Sequence, residues 1–177
     1  WPMIPMFLEI LMNSKRIPDD YDISHLTAIG AGAEACNNTQ IQRVQAFLAK
    51  HNSKLNFTTG YGSSEAGSNL TFHVSKRGAG NCNMGCPMPL TTVTICKPGT
   101  TEELPYGQSG EICVTGPGVM VGYDTPEATA KALQVHEDGK TWLHMGDMGY
   151  MDEDGHVHVL GRGANNKRYG GGFVDIL

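Results

Sequence analysis

The stretch that decides the fold is LTAIGAGAEACNNTQIQRVQAFLAKHNSKLNFTTGYGSSE, residues 26–65. Leu26 to Ile29 form a short apolar run that opens into Gly30-Ala31-Gly32-Ala33, the pattern of a buried strand feeding a tight loop. Asn37 with Gln40 three residues on is a capping pair for a helix over 38–51, and Ile41, Val44, Phe47 and Leu48 share one face of it. Leu55 to Thr59 reads as the next strand. Strand, helix and strand joined by short loops imply a parallel α/β unit. In such sheets ligands gather at the carboxyl ends of the strands, where Gly30-Ala31-Gly32-Ala33 and Tyr61-Gly62-Ser63-Ser64-Glu65 both lie.

Working outward, residues 6–13 read as a helix and Pro18-Asp19-Asp20-Tyr21-Asp22 as a polar loop. Beyond about residue 70 the texture changes to short β-rich segments, Thr91 to Ile95, Glu111 to Val114 and His156 to Leu160, separated by glycine and proline turns. One helix interrupts them near 125–133, with Thr125 as N-cap and Pro126 at the first helical position. The fold class expected is α+β: the end of an α/β parallel-sheet subdomain over 1–68, then a small antiparallel β-barrel-like subdomain over 69–162. Residues 163–177 would begin a hinge and a further domain.

Composition narrows the function. The 177 residues are 40% hydrophobic and 18% charged with a formal net charge of -5, and the 13 Lys and Arg are scattered, which argues against a nucleic-acid surface. The longest apolar stretch, Ile4 to Met12, is interrupted by Pro5 and Glu9 and falls short of the ~20 residues that cross a bilayer. The start resembles no signal peptide, and the expected setting is cytoplasmic. Five cysteines, at 36, 82, 86, 96 and 113, are an odd number; the loose Cys82-x-x-x-Cys86 spacing makes a poor metal site, and Cys96 and Cys113 fall in strand-like runs where a buried thiol is common. Free thiols in a reducing compartment are the expected state.

The chemistry-bearing residues fall into two groups. Tyr61-Gly62-Ser63-Ser64-Glu65 offers an aromatic ring, hydroxyls and a carboxylate beside a glycine. Trp142-Leu143-His144-Met145-Gly146-Asp147, followed by Gly161-Arg162, offers an Asp read as standing on a tight turn and then an Arg, the groups a ribose diol and a phosphate require. Each has an ordinary explanation too. Tyr61 alone suits a core aromatic, Asp147 a turn, Glu65 a helix start, Trp142 packing, and His73, His144 and His158 packed or surface positions.

Order and intervening sequence favour the chemical reading. Gly110-Glu111-Ile112-Cys113-Val114-Thr115-Gly116-Pro117-Gly118 through Gly122-Tyr123, Pro126-Glu127-Ala128-Thr129, Trp142 to Tyr150 and Gly161-Arg162, with Tyr61 to Glu65 upstream, resemble the acyl- and aryl-CoA synthetases of the adenylate-forming (AMP-binding) superfamily. The resemblance covers nearly the whole chain. It implies a two-step ligase: a carboxylic acid and Mg-ATP give an acyl-adenylate and pyrophosphate, and the thiol of coenzyme A or of a carrier-protein pantetheine then displaces AMP. By the same resemblance, Ser64 and Glu65 are catalytic, with Glu65 holding Mg2+, while Gly32, Ala33, Glu34, Tyr61, Gly62, Asp147 and Arg162 bind ATP or AMP. Asn165 takes the hinge position, and Ala66-Gly67-Ser68 line part of the acid pocket.

Three departures accompany the match. Ser64 stands where the family usually has Thr, Met145 where it has Thr, and Asn165 where the hinge is usually Asp or Lys. The family's phosphate loop would precede residue 1 and its lysine-bearing domain would follow residue 177, so the chain reads as a piece of the large N-terminal domain, its partners including the missing parts of the same protein. Two other readings stand beside this one. An aryl- or amino-acid adenylating domain that loads a carrier protein differs in upstream pocket residues, and a degenerate nucleotide-binding module would lack turnover.

Overall fold

The computed structural model describes residues 2–32, 37–73, 83–163, 166–169 and 172–175. It is a mixed α/β structure with two main sheets, in keeping with the expected fold class. The first sheet begins with three parallel strands, β1 (Pro2–Met3), β2 (Gly30–Ala31) and β3 (Thr58–Ser63). Helix α1 (Pro5–Met12) follows β1, with Pro5 in its first turn where no amide donor is needed. Helix α2 (Asn38–Lys50) crosses from β2 to β3.

The capping pair read from the sequence is present in full. Gln40 N donates to Asn37 Oδ1 at 2.9 Å and Asn37 N to Gln40 Oε1 at 3.0 Å. The apolar face of α2 buries Val44 and Leu48 against Leu8, Ile23, Ile29, Ala31 and Phe57. Both strands of the unit sit further along than expected: 26–29 and 55–57 lie outside the sheet. Gln45 supplies the reason for the second, since its side chain donates to Leu55 O at 2.8 Å and accepts from Phe57 N at 2.9 Å. The backbone of this approach is satisfied by the helix, leaving the ladder to start at Thr58.

The sheet does not end at residue 68. Strand β3 runs into a single 3-10 turn (Ser64–Ala66) and returns as β4 (Ser68–Phe72), antiparallel to β3, and β4 pairs in turn with β5 (Cys86–Pro87). Gly62 makes this hairpin possible, because a Cβ there would stand 1.6 Å from the Ser68 carbonyl oxygen.

The second sheet is antiparallel throughout, in the order β10 (Val157–Arg162), β9 (Thr141–Met151), β7 (Gly110–Thr115), β6 (Thr92–Cys96), with β8 (Leu133–Val135) also on β9. Among the described residues it is an open sheet, since β6 and β10 are not paired to each other. Helix α3 (Pro126–Ala132) leads into β8, and Thr125 makes no side-chain cap to it. Strands β11 (Asn166–Tyr169) and β12 (Gly172–Asp175) form a separate antiparallel pair.

Residues 83–85 join the two sheets. Met84 N donates to Val157 O at 2.8 Å and Val157 N to Gly85 O at 2.9 Å, while Thr59 Oγ1 donates to Asn83 O and Thr71 Oγ1 to Met84 O. Ala66 and Leu70 from the first sheet pack into one core with Val93, Ile95, Ile112, Val114, Leu143, Met145 and Val157 from the second. The carboxyl end of β3 is thereby fixed against β9 and β10.

Candidate active site

Asp147 is the centre of the arrangement. The sequence suggested a tight turn here; instead Asp147 lies inside the eleven-residue strand β9. Gly146 explains the difference: at φ +69 it adopts a left-handed backbone within the strand, and the register of β9 against β7 shifts between Glu111 and Cys113. A bulge of this kind re-aims one side chain without ending the strand. Glu111 Oε1 accepts from Gly146 N at 3.2 Å, and Gly163 N donates to Gly146 O at 2.9 Å, so both backbone groups of the bulge are held.

Two sequence-distant residues converge on Asp147. Arg162 is its cross-strand partner on β10, and Arg162 Nε lies 3.0 Å from Asp147 Oδ1. The Tyr61 hydroxyl, from the first sheet, donates to Asp147 Oδ2. Burial pushes the Asp147 carboxyl above its ordinary range, while the Tyr61 hydrogen bond and the Arg162 charge pull it back. Burial, followed by the Asp147 charge, pushes the Tyr61 phenol up, so it remains a donor. Arg162 Nη1 also donates to Met145 O at 3.1 Å, yet its side chain stays 63% exposed and presents a cation to solvent beside Asp147.

Ser64 and Glu65 open the 3-10 turn directly after β3. Ser64 is exposed. Glu65 is held below its ordinary pKa, first by a backbone amide and then by the Tyr123 hydroxyl, which donates to Glu65 Oε1 at 3.0 Å. An ionised carboxylate at the edge of the site, with only acceptor capacity, fits a hard cation such as Mg2+. The turn is positioned from outside by the loop 116–120. Met120 N donates to Glu65 O at 2.7 Å, and Gly67, at φ +76, lies so close to Gly118 that a Cβ on it would approach the Gly118 carbonyl oxygen to 2.8 Å.

Of the residues singled out in the sequence, Tyr61, Asp147 and Arg162 are in direct contact. Gly32 follows β2, its space bounded by the Gly60 carbonyl oxygen, which an added Cβ would meet at 3.4 Å. Gly62 serves the hairpin. Ala33, Glu34 and Asn165 lie outside the described residues. Tyr123 and Glu111 carry no role in the sequence reading. Tyr123 closes the resembling glycine-rich string, and Glu111 alternates with Cys113 on one face of β7; these are the signals that would have found them. An apolar cavity of about 270 Å³ between α1, α2 and the 16–29 segment shares no lining residue with this site.

The assembled site offers an aromatic hydroxyl, a buried carboxylate, a cation and an exposed hydroxyl–carboxylate turn. Known proteins are similar to the chain in sequence and in fold. A family model described as AMP-binding enzyme matches residues 1–124. The chain is 33% identical over 168 residues to 4-coumarate–CoA ligase 2 of Nicotiana tabacum, an alignment covering 91% of the chain and 29% of that enzyme. It is also 33% identical over 171 residues to luciferin 4-monooxygenase of Luciola mingrelica, covering 96% of the chain and 29% of that protein. The crystal structure of ATP-bound MatB from Rhodopseudomonas palustris superposes with a TM-score of 0.80 at 28% identity, over 98% of the chain and 33% of MatB. The chain therefore spans about three-tenths of the length of these relatives. With 124 of its residues matched by the family model and two relatives at one-third identity over nearly its full length, the chain belongs to the AMP-binding enzyme family.

Proposed function

We propose that the chain carries the nucleotide-binding part of an ATP-dependent acid–thiol ligase. A carboxylate oxygen of a small organic acid attacks the α-phosphorus of ATP, the bond to pyrophosphate breaks, and an acyl-adenylate forms. The sulfur of coenzyme A then attacks the acyl carbon and AMP leaves. The observation that carries this reading is the convergence of Tyr61 from the first sheet and Arg162 from the second on the Asp147 carboxylate.

Asp147 would accept from the ribose 2′- and 3′-hydroxyls, and Arg162 would place its exposed guanidinium against ribose and phosphate. Tyr61 and Gly32 would border the adenine, with Ala33 and Glu34 continuing that edge, and Gly62 keeps the hairpin narrow enough for the approach. Ser64 would donate toward the α-phosphate. Glu65 is the residue for Mg2+, which when bound offsets the charge developing on the phosphates. Asn165 is the proposed hinge. A cytoplasmic setting goes with this reading, in which Cys86, Cys96 and Cys113 would be reduced.

Carboxylate-dependent exchange of labelled pyrophosphate into ATP by the intact protein tests the reaction. Nucleotide binding without any exchange, across a panel of aliphatic and aromatic acids, would assign the site to binding alone. Glu65→Gln is expected to slow adenylation more than it weakens ATP binding, with part of the rate restored by raised Mg2+, because an amide oxygen is the poorer ligand. A drop in ATP affinity with no recovery at high Mg2+ would remove the metal role.

A further inference from the structure

The second sheet has two faces, and only one belongs to the main core. On the other face, strand pleating brings together Cys96 from β6, Cys113 from β7, and Trp142 and His144 from β9, Cys113 being the direct cross-strand partner of His144. His136 completes the group. It sits in the β8–β9 hairpin, whose backbone is fixed by His136 N donating to Lys140 O at 3.1 Å and Gly139 N to His136 O at 3.0 Å. Its ring stacks on Trp142 at 5.1 Å with the planes 15° apart. The ligand atoms of Cys96, Cys113 and His136 all lie within 4.8 Å of one another. His144 Nε2 stands 3.0 Å from His136 Nε2, and Cys113 Sγ is 3.5 Å from His144 Nδ1.

We propose that Cys96, Cys113 and His136 form a binding site for a soft d10 cation, zinc(II) being the ion of choice, with His144 beside it through His136. Two thiolates and an imidazole supply three of the four positions of a tetrahedral zinc site, and the same donors suit copper(I). The surrounding chemistry is that of a metal centre. His144 Nδ1 lies 3.1 Å from Glu111 Oε2, so the carboxylate fixes the ring with Nδ1 protonated and turns the Nε2 lone pair toward His136. Both thiols are buried, and ligation as thiolates releases their protons. His136 is half-buried and provides the way in.

The site is separate from the nucleotide residues but touches their support. Glu111 holds His144 with one oxygen and the Gly146 amide of the Asp147 bulge with the other. No catalytic part is required of the ion.

The test uses the full-length protein, purified under reducing conditions and stripped with a chelator, with zinc(II), cobalt(II) and copper(I) as probes. The expected result is one zinc per chain, a thiolate-to-metal absorption band with cobalt, and a thermal midpoint raised by zinc. His136→Ala, in the β8–β9 hairpin, and Cys96→Ser should each weaken zinc at least ~100-fold, and Glu111→Gln about tenfold. Cys82→Ser with Cys86→Ser should leave the affinity unchanged. Tighter binding of copper(I) than of zinc with the same variant pattern would assign the site to copper. Zinc retained undiminished in His136→Ala and Cys96→Ser, a cobalt spectrum without the thiolate band, or no stoichiometric metal at all would overturn the proposal.

Discussion

Replacing Asp147 with alanine in the intact protein is expected to weaken ATP and AMP binding by at least about tenfold. Each hydrogen bond to a charged acceptor is worth ~1.5–3 kcal/mol, and two ribose hydroxyls would meet this carboxylate. The gain is an exchange, because Tyr61 and Arg162 already occupy Asp147, so the net loss is smaller than two full bonds. Even one surviving bond of ~1.4 kcal/mol corresponds to tenfold in the dissociation constant. The substitution also leaves Arg162 without its ion-pair partner. Asp147→Asn is the sharper control, since it keeps the shape and one acceptor; it should lose affinity by an intermediate amount. Equal dissociation constants for wild type and Asp147→Ala, measured by calorimetry, would take Asp147 out of the nucleotide site.

The second large effect is structural. In Gly62→Ala the new methyl would collide with the Ser68 carbonyl at 1.6 Å, which is backbone and cannot swing aside. Overpacking of this kind costs ~1–3 kcal/mol or more. Because one kcal/mol moves the midpoint of a domain of 150–250 residues by roughly 2–4 °C, the melting temperature should drop by several degrees. The displaced β3–β4 hairpin carries Tyr61 at one end and Glu65 at the other, so ATP binding and adenylation should fall together. A variant with wild-type melting temperature would show that the hairpin is looser than its geometry indicates.

Sequence pattern gave away the helices and the parallel unit because their signals are local: the Asn37/Gln40 box and the apolar face of α2 lie within one element. The strand boundaries were less legible. Gln45 captures 55–57 through side-chain bonds that no periodicity reveals. Strand β9 hid its character because Gly146 and Gly149 punctuate it, and glycine ordinarily announces a turn. A bulge supported by Glu111 from the neighbouring strand is a tertiary event. The family resemblance named Tyr61, Asp147 and Arg162 singly, whereas the contact of Tyr61 with Asp147, 86 residues apart, required the two sheets to be docked. The cysteine and histidine cluster was missed for the same reason: Cys96, Cys113, His136 and His144 come from separate strands and a hairpin, and no short-range spacing ties them.

The hydroxyl of Tyr61 and the guanidinium of Arg162 make Asp147 a latched carboxylate: each of its oxygens has a partner. On the proposed nucleotide role, ribose hydroxyls that displace these partners, rather than share the second lone pair each oxygen keeps, would bind no faster than the latch opens. The observed association rate should climb with nucleotide concentration and level off, with the plateau reporting the unlatching step. Tyr61→Phe removes one half of the latch while keeping the ring, so in stopped-flow measurements that ceiling should rise even where equilibrium affinity changes little.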